Sequence, residues 1–434
     1  MKDRKYRYCD KILPNQDFFR ELYHDSAPFE MALYGMMSSY ASDFDASRFK
    51  LRTPKEIDFE DLVEYGMIGL LEAADRYLES VRSGKRFDRE ATAPDAAVTA
   101  ELRAQWMAPF LISPHDATMV YAGFQFLFKS TNRGDTWEKL SADLTGNDPA
   151  QMLPRNSSAI PYQTIVALAE SPKKKGLMYV GADDGSLHST IDGGKEWTSL
   201  TPALPVRRWI SRIVPSEHNE AVVYVTQRGR EDDDFAPYVY KSTDYGKTFR
   251  SIANNIPAGS VNVIREDPVN PNVLYVGTDD GLIQVTRDGG TSWTNVTPPG
   301  IGLGASNNIE VSPSDPATVY LAFRKDRHGD YAPYPMKSTD FGKTWTRIAT
   351  GLNPNEPVRV VREDPTRKNL LYAGTESGVY VSFNGGTTWQ PFSQNLPLTP
   401  VTDLEVRHDD LYASTEGRAF WALDDLSAVR QLSR

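Results

Sequence analysis

Ser242-Thr-Asp-Tyr-Gly-Lys-Thr-Phe249 and Ser338-Thr-Asp-Phe-Gly-Lys-Thr-Trp345 are two copies of a phrase that the chain repeats six times. The others are Ser130-Thr-Asn-Arg-Gly-Asp-Thr-Trp137, Thr190-Ile-Asp-Gly-Gly-Lys-Glu-Trp197, Thr286-Arg-Asp-Gly-Gly-Thr-Ser-Trp293 and Ser382-Phe-Asn-Gly-Gly-Thr-Thr-Trp389. The pattern Ser/Thr-x-Asp/Asn-x-Gly-x-x-Trp/Phe reads as a tight hairpin. Its Asp or Asn side chain accepts backbone N–H bonds across the turn. Its Gly takes a backbone conformation closed to other residues, and its aromatic enters the next strand and packs between neighbouring sheets. The intervals alternate long and short and close on themselves: Thr190 to Thr286, Ser242 to Ser338 and Thr286 to Ser382 each span 96 residues (286 − 190, 338 − 242, 382 − 286). A unit of roughly 40–50 residues holding four strands is a β-propeller blade.

The strands can be read around each copy. Val261–Pro268, Asn272–Gly277, Leu282–Val285 and Trp293–Val296 are four short β-rich runs separated by turn residues. The same phrase recurs over Val358–Phe392, where Arg362-Glu-Asp-Pro365 answers Arg265-Glu-Asp-Pro268. Blades begin near Pro109, Thr164, Ile210, Val261, Asn307, Val358 and Val401, which predicts an all-β, seven-bladed propeller preceded by a small helical N-terminal region. The last blade has three runs, Val401–Val406, Asp410–Ser414 and Ala419–Leu423, and no turn phrase. Its fourth strand must come from elsewhere, because an open edge invites aggregation; Ala97–Arg103 is the expected donor, with a helix the alternative for that stretch. The domain reading is 1–96 helical, 97–428 propeller and 429–434 a C-terminal tail.

Composition narrows the function. The formal net charge is −10 and no basic stripe suggests nucleic acid. The single cysteine, Cys9, allows no disulfide within the chain, and the six histidines lack metal-ligand spacing, so neither metal nor cofactor is expected. Met-Lys-Asp-Arg-Lys-Tyr-Arg at the start is not followed by an apolar signal core, and no run is long enough to cross a membrane. As it stands the chain is expected to be cytoplasmic.

The repeated turns resemble those of the Asp-box (bacterial neuraminidase repeat) propellers, a superfamily of sialidases, xyloglucan hydrolases, the photosystem II assembly factor and the ligand-binding domain of sortilin. Phe110-Leu-Ile-Ser-Pro-His-Asp116, Gly181-Ala-Asp-Asp-Gly185, Pro237–Phe249 and Glu416-Gly-Arg-Ala-Phe-Trp-Ala-Leu-Asp-Asp-Leu426 are most similar to bacterial sortilin-like proteins often labelled glycosyl hydrolases. The resemblance runs from about Trp106 to the C-terminus. It implies an exported protein, and a second propeller, absent from this chain, as a partner. Before it, Asp58 to Val81 has helical periodicity in Leu62, Tyr65, Ile68, Leu71 and Leu78. Asp58–Tyr77 resembles the core-binding region of bacterial sigma factors over one helix; the alternative is an ordinary amphipathic helix of an accessory domain.

Blade topology says where chemistry could sit. The repeated turns join third and fourth strands on one face; the second-to-third-strand loops and the links between blades lie on the other. Two loops of that second face are long, Gln227–Tyr238 in blade three and Arg324–Tyr334 in blade five, and both end in Ala-Pro-Tyr. The candidate binding residues are Arg228, Arg230, Asp233, Tyr238, Arg324, Arg327, His328, Asp330 and Tyr334, with Trp106 and Trp209 as stacking platforms. Surface ion pairs, loop anchors and partly buried Trp are the structural alternative for the same residues. The Asp-Asp-Gly turns at 183–185 and 279–281 read as hairpin chemistry. Two function classes follow: a non-catalytic module that binds a protein, a peptide or a glycan, and a glycosidase. Hydrolysis needs two carboxylates across a cleft, for which Asp233, Asp234, Asp326 and Asp330 are the candidates. A sialidase resemblance would require a cluster of arginines for the substrate carboxylate and a Tyr–Glu nucleophile pair, and the sequence shows no Arg-Ile-Pro opening phrase for such a site.

Overall fold

In each of the six repeated turns the hydroxyl of the first residue is buried and does two jobs. It donates to the Asp or Asn carboxyl or amide oxygen, as in Ser242 to Asp244 at 2.7 Å, and accepts from the glycine N–H, as from Gly246 at 2.8 Å. The same pair of bonds occurs at Ser130, Thr190, Thr286, Ser338 and Ser382. The Asp or Asn oxygen then accepts the N–H of the seventh residue, Thr248 at 2.9 Å in this copy. The glycine sits at φ 88°, in the left-handed region that favours it.

The computed structural model describes residues 7–8, 102–105, 108–134, 136–148, 162–418 and 420–432. The expected helix over Asp58–Val81, its sigma-factor resemblance, Trp106 and part of the 141–162 link lie outside them. The described strands form seven four-stranded antiparallel sheets. First strands run Phe110–Ile112, Ile165–Glu170, Trp209–Pro215, Val261–Glu266, Ala305–Val311, Val358–Glu363 and Val401–Arg407, close to the positions expected from sequence. Blade seven is completed by Arg7–Tyr8, which pairs antiparallel with Phe420–Leu423. This corrects the expected donor: residues 102 and 103 of the Ala97–Arg103 stretch are not in a strand. Arg103 is instead tied to Asp143 at 2.8 Å and to the Gln163 carbonyl, beside blade one rather than along the edge of blade seven.

Apolar residues between adjacent blades make the core. Every second strand carries a Tyr (Tyr121, Tyr179, Tyr224, Tyr275, Tyr320, Tyr372 and Tyr412), opposite Leu111, Ala169, Val214, Arg265, Glu310, Arg362 and Glu405 on the first strands. The aromatic of the repeated turn closes each interface on the outside: Trp293 and Trp389 are buried, and their indole N–H groups donate to Ile252 and Ile348 carbonyls of the preceding blade, both at 2.6 Å. Close approach needs small residues on the second strand. A Cβ on Gly181 would lie 2.5 Å from Ile210 of blade three. The ring is joined at blades seven and one by Phe110 stacked on Phe420 at 4.4 Å. Histidines lace first-strand turns of neighbouring blades: His115, His218 and His408 each place Nε2 2.8 Å from a backbone carbonyl, of Ser171, Asp267 and Ser113. Residues Ser427–Gln431 form a short helix whose Val429 is buried against blades six and seven, while Arg430 bonds Asp364 at 2.9 Å.

Candidate functional site

The two long loops are extensions of the sheet. In blade three, Val223–Gly229 and Asp234–Ser242 pair out to Gly229 opposite Asp234, with a single 3₁₀ turn over Arg230–Asp232 at the tip. In blade five, Val319–Lys325 and Asp330–Ser338 pair out to Lys325 opposite Asp330 around a turn over Asp326–His328. Blades two, four and six have third strands of four residues. The hairpins of blades three and five therefore stand out from that face.

Each hairpin is held by the same latch. Asp234 accepts the Tyr238 hydroxyl at 2.7 Å, the Ala236 N–H at 3.1 Å and Arg208 Nε at 3.0 Å. Asp330 accepts the Tyr334 hydroxyl at 2.7 Å, the Ala332 N–H at 3.1 Å and Lys325 Nζ at 2.9 Å. The phrase Asp-aromatic-Ala-Pro-Tyr, present in both, is the sequence form of this latch. The Tyr238 phenol, with help from the Ala236 N–H and Arg208, holds Asp234 below the usual carboxylate range. The Tyr334 phenol and then Lys325 hold Asp330 down at about 2. The middle aromatics, Phe235 and Tyr331, are left exposed at the tips.

Arg228, Arg230 and Arg324 fall into ion pairs on the same face. Arg228 covers the Trp209 ring at 4.0 Å and bonds Glu231 at 3.0 Å, so one face of the half-buried Trp209 is already occupied. Burial brings the Arg228 guanidinium down to about 10. Arg230 bridges Glu231 at 3.2 Å and Asp279 of blade four at 3.4 Å. Arg324 grips Asp326 through two bonds, at 3.0 and 2.7 Å. Asp233 is at the left-handed corner of its turn, φ 55°, and is exposed, as are Arg327 and His328.

Several residues of this face gave no sequence signal. Arg359 pairs with Glu376 at 2.7 Å and with Glu416 at 3.1 Å, joining blades six and seven. Asp183, in a turn read as hairpin chemistry, is 3% exposed. It accepts the Thr164 N–H at 2.8 Å, the Thr164 hydroxyl at 2.9 Å and Gln105 Nε2 at 3.4 Å. Burial, opposed by the Thr164 bonds and reinforced by the neighbouring Asp184 charge, pushes its carboxyl up to about 6. Among the described residues no group of three or more His, Cys, Asp or Glu is arranged to hold a metal, and no helix is long and apolar enough to cross a membrane.

Seven four-stranded antiparallel sheets in a ring, with paired hairpins over one end of the channel, define a β-propeller with a loop-bearing face. Residues 237–352, from the end of the blade-three hairpin through all of blade five, match the family model described as sortilin, neurotensin receptor 3. The chain is 29% identical over 287 residues to a probable oligoxyloglucan-reducing end-specific xyloglucanase of Neosartorya fischeri, covering 54% of this chain and 33% of that protein. It is 22% identical over 273 residues to sortilin of Danio rerio, covering 58% of this chain and 30% of that one. The chain thus spans about a third of the length of these relatives. In fold it is similar to the crystal structure of an ancestral GH74 enzyme, with a TM-score of 0.58 and 17% identity over 76% of this chain and 46% of the enzyme. Over these segments the chain is similar both to sortilin and to xyloglucanases.

Proposed function

We propose that this propeller is a non-catalytic binding module that takes a protein or peptide partner on the face carrying the hairpins of blades three and five. The observation that carries the reading is the pair of latched hairpins, each presenting an exposed aromatic, Phe235 or Tyr331, on a rigid β-stem. Aromatics on preorganised elements supply contact area at low entropic cost. The matched sortilin segment takes in the returning strand of the first hairpin from Pro237 onward and all of the second hairpin.

The xyloglucanase relatives raise the alternative of glycoside hydrolysis on the same face. That chemistry needs one carboxyl that keeps its proton near neutral pH and a second that is free to attack or to activate water. Asp330 is held near 2 and Asp234 is also depressed, each by its own Tyr; Asp326 is gripped by Arg324. These bonds favour a structural role for the acids and so the binding reading.

The test is a display screen of peptides on the immobilised full chain, repeated with Phe235→Ala and Tyr331→Ala. Hits that bind saturably and weaken about tenfold or more in either variant, as loss of an interface aromatic demands, support the proposal. Hits indifferent to both variants would remove this face from the account.

A further inference from the structure

The axial channel is lined by the first strands, and in blades four to seven one layer of it is charged. Arg265, Glu310, Arg362 and Glu405, each opposite the second-strand Tyr of its blade, alternate in sign around the ring. Arg362 is fully matched: its terminal nitrogens meet Glu310 at 3.0 Å and Asp403 at 2.7 Å, and its Nε donates to the Leu404 carbonyl at 2.7 Å. Arg265 repeats only the last of these contacts, donating Nε to the Ile309 carbonyl at 3.2 Å. It feels Glu310, Asp403 and Glu405 from a distance, but among the described residues no carboxylate lies within ion-pair distance of it.

Arg212 adds a second unmatched cation. It follows a bulge between Ile210 and Arg212 in the first strand of blade three, a device that re-aims side chains. Its electrostatic neighbours are Arg265, Arg362 and Asp403, from blades four, six and seven, so its guanidinium lies inside the channel. Its Nε is sealed from solvent without a hydrogen-bond partner, and it makes no ion pair among the described residues. Burial and the like charge of Arg265 bring Arg212 down to about 10. A chain of net charge −10 does not hold two unmatched guanidiniums side by side through general cation surplus. Desolvated like charges destabilise unless a counter-charge joins them.

We propose that the channel binds a small oxyanion between Arg212 and Arg265. The guanidinium fork matches carboxylate and phosphate oxygens and holds its geometry without a protein partner. The bound anion accepts from the free Arg212 Nε and from the terminal nitrogens of both residues, and it completes on the blade-three and blade-four side the alternation that Glu310 and Asp403 supply around Arg362. This site lies inside the channel and is independent of the hairpin tips, so it stands or falls separately from the peptide-binding face.

The experiment is calorimetric titration of the full chain with sodium phosphate and, separately, sodium acetate, at constant ionic strength balanced with sodium chloride. The parent is expected to bind phosphate saturably, and Arg212→Gln and Arg265→Gln each raise the half-saturating concentration by about tenfold or more, the worth of one charge-assisted contact. Lys343→Gln, an exposed cation of a repeated turn, leaves it unchanged. Binding of phosphate alone assigns a tetrahedral anion; binding of acetate as well assigns the wider carboxylate class. A second readout guards against misfolding: in anion-poor buffer Arg212→Gln is at least as heat-stable as the parent, because it removes an unmatched charge. No saturable binding of either anion by the parent, or undiminished binding in both Gln variants, overturns the proposal.

Discussion

Replacing Asp183 by asparagine removes a charge that the fold holds against its preference. The carboxyl titrates at about 6 in the folded chain against a reference value of 3.8. Between those two values the native state binds more protons than the unfolded state, so the free energy of unfolding falls as pH rises. That difference corresponds to about 3 kcal/mol in total, of which about 1.4 kcal/mol is lost between pH 5 and pH 8. The substituted asparagine keeps an oxygen for the Thr164 N–H and offers an amide to the Thr164 hydroxyl, so it stands in for the protonated acid at every pH. The assay is urea unfolding of the parent and Asp183→Asn at pH 5 and pH 8. Comparing the two proteins cancels the titration of all other groups. The variant should gain on the parent by about 1.4 kcal/mol on going from pH 5 to pH 8. A stability difference that does not change with pH would refute the burial argument, whatever its size.

Other outcomes follow from the same contacts. Tyr334→Phe removes the bond that does most to depress Asp330, so the Asp330 carboxyl, followed by NMR titration, should move up from about 2 toward its ordinary value; an unmoved carboxyl would transfer the credit to Lys325. Trp389→Ala deletes a buried indole and its bond to Ile348, and should cost about 3–5 kcal/mol in denaturant unfolding. Trp209→Ala, half-buried under Arg228, should cost clearly less, and an equal loss would place Trp209 in the core. Gly181→Ala drives a methyl against Ile210 of the next blade and should destabilise by about 1–3 kcal/mol; a neutral result would mean that the blades separate freely.

Much of the ring was legible because its signal is local and repeated. The Ser/Thr, Asp/Asn and Gly of each turn bond to one another within a single copy of the phrase, so the sequence contains the whole motif. The role of the first hydroxyl, which serves both the carboxyl and the glycine N–H, was missed because Ser and Thr read equally well as strand ends. Closure of blade seven was not legible. Its fourth strand comes from Arg7–Tyr8, at the far end of the chain, and so short a backbone pairing carries no side-chain pattern.

The candidate site shows the same division. The hairpins of blades three and five stood out by length and by their shared Ala-Pro-Tyr, yet Asp234 and Asp330 read as free acids until their bonds to Tyr238 and Tyr334 were seen. Asp183 and Asp279 occupy the same Asp-Asp-Gly phrase. They differ because Thr164 and Gln105 enclose the first, while Arg230 reaches the second from blade three. Arg212 and Arg265 look like any strand arginines until the ring sets them beside Arg362. For Asp279 and the channel arginines the deciding contacts run between blades, and a single blade's sequence does not record them.

The most direct test of the binding account sets partner capture against turnover on the same preparation. The full chain is screened against peptide and glycan arrays, and every glycan hit is followed for release of reducing ends. The account predicts saturable peptide binding that depends on Phe235 and Tyr331, with no glycan turnover. Glycan hydrolysis that disappears in Asp233→Asn or Asp330→Asn would contradict it and make the two hairpins an active site.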